Sequence, residues 1–132
     1  MSIRSRITAA LVICLATSTA ASAQGLIVTL PDTSAMPKDS ARSLLTELAQ
    51  VDVMATNCSE MDLTPSEQTL LSATGERIAD RLGMTDTQYD RRYYAPALEL
   101  LNDPEACARI APTARPLIER LGRMGGSVAP TD

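Results

Sequence analysis

Between residues 37 and 124 the apolar positions recur every three to four residues. Ala41, Leu44, Leu45, Leu48, Val51 and Ala55 fall on one helical stripe, while Arg42, Glu47, Gln50 and Asp52 take the other faces. This first helix is expected to start near Pro37, since proline at the first helical position gives up no intrahelical bond. It ends at Asn57, with Cys58 at or just past the exit. Thr64-Pro65-Ser66-Glu67 opens the second helix: Thr64 caps it and Glu67 reaches back to the Thr64 amide. Leu70, Leu71, Thr74, Ile78 and Leu82 point inward, and Gly83 closes the helix. Gly75 lies inside at a cost of about 1 kcal/mol against alanine, which a close approach to another helix would explain.

Thr85-Asp86-Thr87-Gln88 is a second capping box. It opens a third helix with Tyr89, Tyr93, Ala97 and Leu101 on one face, and Pro96 should kink it. Asp103-Pro104-Glu105 opens a fourth by similar chemistry, with Cys107 in its first turn. Ile110, Ala114, Leu117, Ile118 and Leu121 continue its apolar face, and Pro112 and Pro116 predict that it is kinked or split. The pattern predicts an all-α fold, a small four-helix bundle over residues 37–124 with kinked third and fourth helices.

The ends carry no helical period. Leu26-Ile27-Val28 is rich in β-branched residues and Pro31 stops a helix there, so residues 24–36 read as an extended arm laid on the body, as core cover or as a partner-binding segment. A lone strand has no partner, so no sheet is expected. Residues 125–132 read as a loose, flexible tail. Residues 1–23 have the order of a secretory signal: Arg4 and Arg6, an apolar run over residues 7–16, then small residues closing on Ala21-Ser22-Ala23. The run is shorter than the roughly 20 residues that span a bilayer. Ile13, ahead of Cys14, is not the small residue that lipidation of Cys14 would need.

Composition sharpens this picture. Removing residues 1–23 takes away two arginines and no carboxylate, moving the formal charge from −4 to −6. So acidic a chain argues against nucleic acid as partner, because phosphate binding needs a basic surface. There is no Phe, Trp or His, so the core is built from Leu, Ile, Val, Met and Ala. Such a core is thin, and a covalent staple matters. Cys58 and Cys107 are the two cysteines left after Cys14 is removed, and in an exported chain they form one disulfide. Closing a loop of that length contributes roughly 4 kcal/mol in the chain-entropy model.

Candidate chemistry is sparse. Without histidine, imidazole catalysis and imidazole metal ligands are absent, and two cysteines fall short of a four-ligand structural zinc site. Glu76 and Asp80 sit one turn apart, but Arg77 and Arg81 interleave at the same spacing, which reads as a solvated face. No catalytic residue, cofactor or metal site is expected. Tyr89-Asp90-Arg91-Arg92-Tyr93-Tyr94 is the one place where aromatics and bases cluster, and Tyr and Arg are enriched at binding hot spots. Tyr89, Arg91, Arg92, Tyr93 and Tyr94 are therefore the candidate interaction surface. The bland alternative packs Tyr89 and Tyr93 inward and leaves the arginines in surface ion pairs.

Asn57-Cys58, Leu82-Gly83-Met84-Thr85 and Asp103-Pro104-Glu105-Ala106-Cys107 resemble the corresponding stretches of small exported bacterial proteins grouped as a domain of unknown function, over about residues 42–123. The resemblance implies an exported helical domain with one disulfide and no assigned activity. In architecture and cysteine separation the chain is also similar to periplasmic acid-stress chaperones, and its acidic stapled body to small immunity or inhibitor proteins. The expectation from the residues is a non-enzymatic periplasmic or secreted helical protein that binds another protein and keeps no membrane anchor after processing. Intact mass and N-terminal sequencing should find the mature chain beginning at Gln24. A mature form beginning at an acylated Cys14 would overturn that route.

Overall fold

The computed structural model describes residues 26–130. The expected signal, residues 1–23, lies outside them. In chain order come β1 (Leu26–Thr29), α1 (Lys38–Asn57), α2 (Pro65–Arg81), α3 (Asp86–Tyr89), a π turn (Asp90–Tyr94), α4 (Ala95–Glu99), a 3-10 turn (Leu100–Asn102), α5 (Ala106–Arg123) and β2 (Ser127–Pro130). Residues 86–102 run as one helical segment, so the body is the expected all-α bundle of four helical units.

α1 is the central element. It packs against α2, α5 and the third segment, and buries Ala41, Leu44, Leu45, Leu48, Ala49, Val51, Val53 and Met54. That stripe is wider than a two-sided helix needs, because neighbours cover α1 on several sides. The capping box of α2 is formed in both directions: the Glu67 amide donates to Thr64 Oγ1 at 3.2 Å, and the Thr64 amide donates to Glu67 Oε2 at 2.9 Å. At its far end Gly83 takes φ +72°, and the Met84 amide reaches the Ala79 carbonyl at 3.0 Å. α5 ends in the same way, with Gly125 at φ +93° and the Gly126 amide on the Leu121 carbonyl at 2.8 Å.

The prolines act differently from expectation in detail. The disturbance at Pro96 is taken up by the π turn just before it, where the Ala95 amide bonds back five residues to Asp90. α5 runs unbroken through Pro112 and Pro116, so it is not split. Both prolines are exposed, as is Ala108. The carbonyls they leave without amide partners, those of Ala108 and Pro112, thus belong to residues on the solvent face, where water can serve them. The start of α5 also shifts. Asp103 Oδ1 accepts from the Glu105 amide at 2.9 Å, and the Ala106 amide donates to the Asp103 carbonyl at 3.1 Å. Asp103 therefore shapes a turn, and the helix begins after it, at Ala106.

The arm is extended and lies on the body, as expected, but it is not without a partner, and residues 127–130 of the tail are not loose. β1 pairs antiparallel with β2, in the register Leu26↔Pro130 and Val28↔Val128. Val28 and Val128 pack on the core while Ile27 faces out, 54% exposed. The Asp32 amide donates to the Met124 carbonyl at 2.9 Å and holds the arm further. Gly126 is required for this closure, since a Cβ there would stand 2.9 Å from the Leu121 oxygen and 3.2 Å from Pro31 Cδ.

Cys58, capping the C-terminal end of α1, is bonded to Cys107 in the first turn of α5, with Cα atoms 5.6 Å apart. That separation lies in the ordinary range for a disulfide. Cys107→Ser should lower the melting temperature by roughly 15 °C, taking about 4 kcal/mol for the loop closure. Differential scanning calorimetry reads this directly, and a shift below a few degrees would say that the aliphatic core suffices alone.

Candidate interaction site on the third helical segment

Tyr89, 5% exposed, is buried at the end of α3, and Tyr93 and Tyr94 are half-buried. The Tyr89 ring meets Tyr94 edge-on at 5.2 Å and Tyr93 at a tilt at 5.8 Å. The Tyr94 hydroxyl donates to Asp52 Oδ2 of α1 at 2.7 Å. Two adjacent tyrosines both lean inward because the π turn spreads five residues over the arc that an α turn closes with four. That widening brings Tyr94, five positions on, over Tyr89. The tyrosines of the expected surface are thus mostly packing groups. Its arginines are the exposed part: Arg91 and Arg92 lie in solvent and make no ion pair among the described residues.

The ionisable groups under this segment are shifted from their ordinary ranges. Burial pushes the Asp52 carboxyl above its usual range, and the Tyr94 hydrogen bond pulls it partly back. Burial, together with that bond to Asp52, drives the Tyr94 hydroxyl far up. Burial pushes Tyr89 up to about 12. Both phenols therefore stay protonated at neutral pH. On the opposite side Glu67, besides capping α2, pairs with Arg115 of α5, whose Nη2 also donates to the Asp62 carbonyl at 2.8 Å. Burial raises Glu67, but the Arg115 and Thr64 hydrogen bonds outweigh it and leave the carboxyl below its usual range.

Leu98 and Leu101 were not legible as surface residues. They are 51% and 41% exposed, and with Ile27 are the large exposed apolar side chains of the described residues. Leu101 was expected to point inward, four positions after Ala97. The 3-10 turn has three residues per turn, so Leu100 aligns with Ala97 and Leu101 rotates outward. Two hollows flank the region. One, of about 370 Å³, lies between α1 and α5 over Val51, Ile110 and Leu117. Its rim charges are already paired, Arg109 with Asp103 and Glu47 with Arg120, each at 2.8 Å. The other, of about 420 Å³, lies between the C-terminal half of α2 and the start of the third segment. Among the described residues no three acidic or cysteine side chains are grouped to hold one metal ion, and no helix is long and apolar enough to cross a membrane.

No family model matches the chain, and no curated protein or solved structure matches it.

Gly75 of α2 is where the tyrosine plug meets the neighbouring helix. A Cβ there would overlap the Tyr89 hydroxyl and stand 3.2 Å from ring carbon Cζ. Gly75→Ala should therefore destabilise by about 1–3 kcal/mol, in spite of its better helix propensity. In a Tyr89→Phe background most of that loss should vanish, because the overlapping oxygen is gone. Equal losses in the two backgrounds, measured by urea unfolding, would contradict this packing.

Proposed function

We propose that the chain is an exported, non-enzymatic protein-interaction module, periplasmic or secreted, that docks a protein partner on the outer face of the third helical segment. The observation that carries this reading is the pair Leu98 and Leu101, one turn apart and about half exposed, on the segment that also bears Arg91 and Arg92, which are in no ion pair among the described residues. Isolated exposed leucines are ordinary, but two on one turn of a segment that also carries two exposed arginines match the apolar-plus-arginine make-up of contact patches. Burying a leucine contributes about 1.5–3 kcal/mol. The matching partner offers apolar side chains to the leucines and carboxylates to Arg91 and Arg92. The tyrosine plug and the Tyr94–Asp52 bond support the face from behind, so little ordering is needed on contact.

Export is supported by the charged, apolar, small-residue order of residues 1–23 and by the Cys58–Cys107 bond, which persists in oxidising compartments. The absence of histidine and the protonated state of Tyr89 and Tyr94 support a binding role over acid–base catalysis. A photo-crosslinker placed at Ala95 in the native host should trap a defined adduct. Leu98→Asp/Leu101→Asp and Arg91→Glu/Arg92→Glu should each reduce that adduct at least tenfold while the melting temperature holds. An adduct of equal yield in both variants would show that the contact lies elsewhere.

A further inference from the structure

Leu98 and Leu101 stand out from the third segment, while Leu100 between them turns in and lines the 370 Å³ hollow between α1 and α5. An apolar projection and an apolar hollow thus share one corner of the molecule, where the third segment ends and α5 begins. The floor of the hollow is aliphatic: Val51, Ile110 and Leu117, each nearly buried, line it. At ~30 Å³ for a water-sized group, the hollow has room for about a dozen, against the four carbons of a leucine side chain. A side chain such as Leu101 fits such a space and finds carbon beneath it.

The charges of this corner are complementary in the same way. Glu99, next to Leu98, is exposed and in no ion pair among the described residues. Arg109, on the rim of the hollow, gives Nη1 to Asp103 at 2.8 Å, yet its side chain is still 55% exposed. A guanidinium has five N–H donors, so one carboxylate oxygen does not exhaust it. The corner therefore presents a projection beside a free carboxylate, and a hollow beside an arginine with donors to spare. A surface that carries both halves of two matching pairs is complementary to itself, and a two-fold axis brings each pair together twice.

We propose that the docked partner is a second copy of this chain. In the two-fold dimer each copy's Leu101, flanked by Leu98, seats in the other copy's hollow, and each Glu99 meets the other's Arg109. This names the partner of the Leu98–Leu101 face and rests on that reading. A copy supplies what the face asks of its partner, apolar side chains in the hollow and exposed carboxylates at Glu99 and Glu105. Because projection and hollow lie at one corner, the contact closes at two copies; on opposite faces they would build a filament.

The test is sedimentation equilibrium of the mature, disulfide-intact chain in about 0.15 M salt, which screens the net negative charge of each copy beyond about 8 Å. A reversible monomer–dimer equilibrium should appear, with no larger species. Leu101→Asp removes the projection. Thr113→Trp covers the hollow from its exposed rim and leaves both leucines intact. Each should raise the dimer dissociation constant at least tenfold while the melting temperature holds. Should Leu101→Asp fail to fold, Leu101→Ser serves in its place. An equal mixture of the two variants should associate at least threefold more tightly than either alone, since one keeps the projection and the other keeps the hollow. A chain that stays monomeric up to about 1 mM would overturn the dimer. So would a dimer that Thr113→Trp leaves unchanged, or a mixture no tighter than its components. In those cases an Ala95 adduct with a different protein would keep the docking face and give it another partner. Failure of the face itself would show separately, as an Ala95 adduct that neither the leucine nor the arginine substitutions reduce.

Discussion

The bond between Cys58 and Cys107 is the constraint that the bundle depends on. It joins the exit of the central helix, α1, to the entry of α5, and encloses α2 and the whole third segment in its 49-residue loop. The core it supports contains no Phe and no Trp. Aliphatic side chains such as Leu45, Leu48, Leu70, Leu71 and Leu121 fill it instead. Each contributes about 1.5–3 kcal/mol by burial, against a backbone ordering cost of similar size per residue. With margins that small, the loop-closure entropy removed from the unfolded chain is a large fraction of the net stability. Toward the other end of α5 the same two helices are held by Arg120 on Glu47, and the strand ribbon follows directly.

Helix ends were the most legible part of the chain, because caps are local chemistry. Thr64 with Glu67, Thr85 with Gln88, and the positive-φ glycine at Gly83 can each be read within a few residues. What could not be read depends on a departure from the α period or on distance along the chain. The π and 3-10 turns around Pro96 change the residues per turn twice within thirteen positions. A fixed 3.6-residue period therefore misplaces Leu101 and leaves out Tyr94 as an inward residue. The continuity of α5 turned on whether Pro112 and Pro116 fall on the wet side, which periodicity states only once the packed side is known. The ribbon was missed because Ser127–Pro130 offers a single inward valine, and its partner lies about a hundred residues away.

On the candidate surface, the exposure of Arg91 and Arg92 was legible and the packing of the tyrosines only partly so. Clustering picked the third segment, but residue type alone could not say which side chains face in. The tyrosines pack and the arginines reach solvent. The charges of α2 show the same limit. Glu76, Arg77, Asp80 and Arg81 look mixed along the chain, yet the helix sorts them by sign onto two flanks. Two carboxyls, the buried Glu67 and the half-buried Asp52, respond to acid in opposite senses. Glu67, held below its usual range, contributes stability at neutral pH that is lost as pH falls through its folded-state value. Asp52, held above its usual range, weakens the fold when ionised, and acid relieves that penalty. Protonation thus loosens the α2–α5 tie while easing the strain beneath Tyr94.

The pairing of β1 with β2 sets the order in which this fold can be completed. β1 is among the first described residues to be synthesised and its partner is among the last, so the first strand waits through nearly the whole chain before it can hydrogen-bond. Until then the inward residue Val28 has no cross-strand neighbour, and Gly126 has not brought the chain back past Pro31. The backbone hydrogen bonds within each helix are near in sequence and can form early, whereas the ribbon, pairing residues about a hundred positions apart, is the longest-range closure and comes late. Its formation signals that the chain has emerged at least as far as Pro130, and it leaves both ends of the described residues side by side.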